Sequence, residues 1–162
     1  MHRVKNCLYV FLLFCCFSSC NNKAVDFNNG LVNIQKSVLE EVRSFKGKIQ
    51  KVNVDSLQLT NIKTEAERIA LFINNKINEA KNLSALKEGE NLKDAILKQL
   101  QFEKNIVEKI GRLAEPDISK EEKMQIETEF LNSQNKANEL EANVHAAQEA
   151  FAKQYKFKLE NK

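Results

Sequence analysis

Tryptophan is absent from this chain, proline occurs once and glycine four times in 162 residues. So few turn and bulge formers argue against sheets with tight hairpins and suit long helices. The glycines, Gly30, Gly47, Gly89 and Gly111, stand alone, so the sequence has no glycine-rich phosphate loop. Histidine occurs only as His2 and His145. A di-iron bundle needs a Glu-x-x-His pair on each of two helices. The nearest approach, Glu141 to His145, is one residue too long and has no second copy. All four cysteines, Cys7, Cys15, Cys16 and Cys20, fall in the first twenty residues, so residues 21–162 can form no internal disulfide.

Acidic residues are missing from the first nineteen positions, while His2, Arg3 and Lys5 open the chain. An uncharged apolar run follows from Cys7 to Phe17, then Ser18, Ser19 and Cys20. A basic start, a short apolar run and small residues before a cut are the marks of a secretory signal. The run falls short of the ~20 apolar residues of a membrane span, which weighs against a transmembrane anchor. A plain secreted protein is the other alternative, set back by the absence of cysteines beyond Cys20.

Phe17-Ser18-Ser19-Cys20 resembles the lipobox of a bacterial lipoprotein, with Phe17 where that motif usually has Leu. The resemblance implies cleavage before Cys20, diacylglycerol on its sulfur and a third acyl chain on its new amine, with no cofactor beyond that lipid. It divides the chain into a removed signal peptide (1–19), a lipidated cysteine with a short polar tether (20–26) and a helical domain (27–162). Asn21 follows the cysteine and no acidic cluster comes next, which by the same resemblance implies the periplasmic face of an outer membrane. Phe27-Asn28-Asn29, Leu31-Val32 and Gln35 are similar to the first helix of small all-helical Gram-negative lipoproteins, a likeness that brings no activity with it.

Without Arg3 and Lys5 the 25 basic residues become 23, against 22 acidic ones. A net charge of +1 leaves no nucleic-acid footprint.

Beyond the tether, apolar residues recur at threes and fours, the helical period. Phe27, Leu31, Ile34, Val38, Val42, Phe45 and Ile49 mark a first helix over 26–51, with Asp26 as a cap and Gly47 as an early end or a bend. A second, capped by Asp55, runs through Leu59, Ile62, Ala66, Ile69, Ile73, Ile77 and Ala80, with Leu71 and Phe72 widening its stripe. Gly89 sits where a helix C′ glycine belongs. A third helix carries Leu92, Ile96, Leu100, Ile106, Val107, Ile110 and Leu113, and Pro116 stops it. Ser119 and Glu122 form a capping-box pattern before a long fourth helix with Ile126, Phe130, Ala137, Leu140, Val144, Ala147, Phe151 and Tyr155. Its period continues to about Leu159. The spacing predicts an all-α, antiparallel up-down-up-down four-helix bundle with a long C-terminal helix. The alternative is a three-helix hairpin unbroken at Gly89.

Catalytic pairs would have to use His145 alone, and a boundary histidine beside Val144 is the plainer reading. Glu40-Glu41 and Glu121-Glu122 read as solvated faces or helix starts, so no enzyme activity is expected. Asp55-Ser56-Leu57 also resembles a short periplasmic O-glycosylation acceptor, though a helix cap accounts for it. In an up-and-down bundle the C-terminus returns to the anchored end. There Lys153, Lys156 and Lys158, with Tyr155 and Phe157 among them, form a candidate membrane-contact stretch. The chain thus reads as an envelope interaction or scaffold module with a membrane and a protein as partners, working through the distal connections 52–55 and 115–119. Its alternatives are a binder of an apolar molecule between helices, or a self-associating protein using Leu71-Phe72 or Phe102.

Overall fold

The computed structural model describes the backbone of residues 2–49, 56–84 and 86–159, and the side chains of 22–49, 59–84 and 86–159. Four helices, α1 (His2–Ile49), α2 (Ser56–Asn82), α3 (Glu90–Leu113) and α4 (Lys120–Tyr155), pack against one another, and the described residues contain no strand. This is the expected four-helix bundle. The separation of α2, which ends at Asn82, from α3, which begins at Glu90, excludes the unbroken hairpin.

Pairs at both ends fix the antiparallel order. Gly30 midway along α1 faces Leu83 just past α2, and Phe27 stacks near Phe151 late in α4. At the other end Lys48 of α1 meets Glu65 of α2, and Lys63 of α2 meets Glu115 just past α3. α3 touches all three other helices, whereas α2 and α4 make no contact among the described residues. The core follows the stripes: Leu31, Val38, Ile73, Leu92, Ile96, Leu100 and Val107 are fully buried. Burying each such side chain contributes about 1.5–3 kcal/mol, the main source of stability in a domain without disulfides.

Local chemistry departs from expectation in five places. Residues 22–26, expected to be a tether, are helical, and Ala24 is fully buried. The bundle therefore begins before Phe27, and Asp26 is an exposed mid-helix residue rather than a cap. Gly47 neither ends nor breaks α1, which continues to Ile49. Gly89 is the N-cap of α3 at φ −87°, not a left-handed stop after α2. That stop is made instead by Lys93, whose ammonium donates to the carbonyls of Lys81 (2.7 Å) and Leu83 (2.9 Å). Finally, α4 ends at Tyr155, short of Leu159, because Lys156 adopts the left-handed conformation (φ 56°).

The other stop and start signals act as read. Ser119 Oγ accepts from the Glu122 amide at 3.1 Å, and α3 ends three residues before Pro116. The Glu122 carboxylate completes no capping box, because Arg112 holds it. Cys20, the connection 52–55 and Asp55 lie outside the residues whose side chains are described.

Candidate functional site

The two ends of the bundle differ in chemistry. At the distal end α4 leans on α3 and stands away from α1 and α2. Between Ile126 and Leu140 it buries no residue fully. Phe130, whose spacing places it in the core, is 37 % exposed, and Leu131 is 82 % exposed. The space so opened is a cleft of about 610 Å³ walled by Ile49, Leu59, Ile62, Ile110, Leu113 and Phe130. Lys46, Glu127 and Gln134 edge it. Lys46 is held at 3.2 Å by Glu103, itself 4 % exposed on α3. Glu127 has no ion pair among the described residues. Met124, 61 % exposed, extends the apolar surface along the outside of α4.

Charges around the distal end are largely matched to one another. Arg112 donates to Glu122 (2.7 and 3.0 Å), Asp117 (2.9 Å) and Glu115. The guanidinium holds the Asp117 and Glu122 carboxyls below their usual range. It thereby clasps the connection 115–119, which reads in the sequence as a free working loop. Lys109 pairs with Glu129 across the same helix junction.

At the opposite end of the bundle the expected membrane-contact residues separate into two groups. Lys153, Lys156 and Lys158 are exposed. Tyr155 and Phe157 turn inward, with ring centroids 4.9 and 5.9 Å from buried Phe151, which also meets Phe27 at 5.6 Å. The Tyr155 hydroxyl donates to Glu88 at 2.6 Å and holds that carboxyl below its usual range.

His145 is a surface residue 3.5 Å from Glu149, not a boundary one. Of the residues read as a self-association stripe, Phe72 and Phe102 pack against the core and Leu71 remains exposed. The stretch the sequence reading missed is Met124–Leu131. Its signal was two large apolar residues, seven apart, off the Ile126–Phe130 stripe. Among the described residues no group of three His, Cys, Asp or Glu is placed to hold a metal, and no helix is long and apolar enough to cross a membrane. Comparison of the chain with protein-family models, curated proteins and solved structures gives no match.

Proposed function

We propose that this protein is a lipid-anchored, non-catalytic contact module of the cell envelope. Cys20 carries the lipid, the periplasmic face of the outer membrane is its site, and the distal cleft receives a protein partner. The supporting observation is the placement of that cleft. It opens beside Lys46 and Ile49 at the end of α1 remote from Cys20, and twenty-six residues of continuous helix span ~39 Å. A lipid on Cys20 would thus hold the apolar walls well clear of the headgroups.

The test is made in the native host, with a photo-reactive residue at Leu131 or, as reference, at Leu71. Mass spectrometry of the N-terminal peptide is expected to give an acylated Cys20, and the Leu131 probe a discrete adduct that weakens in Cys20→Ser. An unprocessed chain would sink the anchor. The same adducts from both probes, or none from Leu131, would sink the contact reading. Adducts to a second copy would mark self-association instead.

The cleft also favours one other reading. At about 610 Å³ it falls in the range of small-molecule sites, roughly 300–1,000 Å³. A bound apolar molecule would survive purification and appear in native mass spectra.

A further inference from the structure

We propose that the anchor end of the bundle carries a basic rim, Lys87, Lys153, Lys156 and Lys158, that seats on the anionic phospholipid headgroups of the membrane holding the protein. The proposal deepens the lipid-anchor reading and rests on it for bringing the rim near a bilayer. Three elements assemble the rim. The Tyr155–Glu88 hydrogen bond (2.6 Å) lays the α2–α3 turn beside the end of α4 and brings Lys87 to the same end as the α4 lysines. Lys156, left-handed at φ 56°, then turns the chain back over that end. The Phe157 amide donates to the Ala152 carbonyl at 3.1 Å and closes the turn.

From this turn onward, residues alternate between solvent and bundle. Lys156 and Lys158 are exposed, while Phe157 and Leu159 are half-buried. With Phe157 and Tyr155 packed on Phe151, the tail offers charge outward and keeps its rings inside. The contact is therefore electrostatic rather than insertive, and added salt screens it.

Lys153, Lys156 and Lys158 are exposed and take part in no ion pair among the described residues, as is also true of Lys120 and Lys123 at the distal end, so what sets the rim apart is the gathering of its lysines around the end of α4. The acids at this end of the bundle are Glu88 and Glu90 around the start of α3, Asp26 one residue before Phe27 in α1, and Glu149 one turn before Lys153 in α4. Tyr155 and neighbouring Lys87 engage Glu88, and His145 lies 3.5 Å from Glu149. Each lysine near an anionic surface strengthens attachment about fivefold.

The experiment uses the mature protein purified from its host membrane and reconstituted into vesicles. One set is phosphatidylglycerol with phosphatidylethanolamine, the other phosphatidylcholine alone. Lysines are acetylated briefly and quantified by peptide mass spectrometry, with distal Lys120 and Lys123 as internal references. The four rim lysines are expected to react about fivefold more slowly on the anionic vesicles, recovering in about 0.5 M salt. Equal rates in the two lipids overturn the proposal. In Lys153→Gln/Lys156→Gln/Lys158→Gln, all exposed positions, Lys87 is expected to lose its protection, and its continued protection also overturns the rim. The N-terminal peptide from the same digest reports the lipid on Cys20. A missing acyl chain thus sinks the anchor reading by itself, while the acetylation ratio still decides the rim.

Discussion

Gln35 Nε2 donates to Gln99 Oε1 at 2.6 Å across the α1–α3 interface, where Gln99 is 2 % exposed. An amide pair inside an apolar seam constrains register, because sliding either helix by one turn would strand a buried carbonyl. Gln35→Ala removes the donor and leaves that carbonyl unmatched, at an expected cost of about 1–3 kcal/mol in urea denaturation. Gln35→Leu/Gln99→Leu removes both partners and is expected to be nearly neutral. A double variant as unstable as Gln35→Ala would show that the pair is not what the single change disturbs.

Gly89 and Gly47 respond oppositely to alanine. A Cβ at Gly89 would sit 2.6 Å from Phe27 Cε1 and 3.2 Å from the Leu86 carbonyl oxygen. Phe27 is itself wedged against Phe151. Gly89→Ala is therefore expected to destabilise by about 1–3 kcal/mol. Nothing lies within 4 Å of a Cβ at Gly47, so Gly47→Ala is expected to stabilise α1 by about 0.5–1 kcal/mol. Thermal melts of the two variants should move in opposite directions.

Phe151 is the hub of the aromatic cluster, in contact with Phe27, Tyr155 and Phe157. Phe151→Ala is expected to cost about 3–5 kcal/mol and to free the chain after Tyr155. Faster amide exchange at Phe157, compared with that at Val107, would register the release.

The stripes themselves were legible. Ile126, Leu140, Val144 and Phe151 recur at helical spacing, and all four are buried. Phe130 belongs to the same stripe yet lines an open cleft, because periodicity names the inward face of a helix but not whether a neighbour stands there. Gly89 was misread for a related reason. The conformation at Gly89 is ordinary, and its need for glycine comes from Phe27, 62 positions away in the chain. The inward turn of Tyr155 and Phe157 depends on a left-handed Lys156, a conformation that lysine does not announce. At Asn21–Asp26 polar composition reads as a tether, but a single small residue, Ala24, is enough to dock that turn against the core.

Acid should loosen the α1–α2 face. Hydrogen bonds from Arg68 and Lys48 lower the Glu65 carboxyl to about 2 from its ordinary 4.5. Because the folded value is the lower one, the stabilisation is fully present above about pH 4.5. It fades as pH falls and is gone below about pH 2. With both partners largely solvated, its size is expected to be no more than about 1 kcal/mol. Wild type should therefore lose stability between pH 4.5 and 2 more steeply than Glu65→Gln, when both are followed by denaturation midpoints.

The cleft can be altered without unfolding the bundle. Leu131 is 82 % exposed, so Leu131→Lys is expected to change stability by less than about 0.5 kcal/mol. It should nevertheless lower the affinity of an apolar fluorescent probe, while Leu71→Lys, at an exposed position that does not line the cleft, should not. Equal effects from both would place the probe on the general surface.

The fourth helix is supported unevenly along its length. Its seat is the stretch from Leu140 to Phe151, where it meets α1 through Phe27 and Asn28. Ahead of Leu140, twenty residues reach ~30 Å to Lys120. The distal opening is therefore bordered by a stretch of α4 that, among the described residues, α3 alone ties down, through Arg112 to Glu122 and Lys109 to Glu129, so its width is set by two ion pairs rather than by core packing.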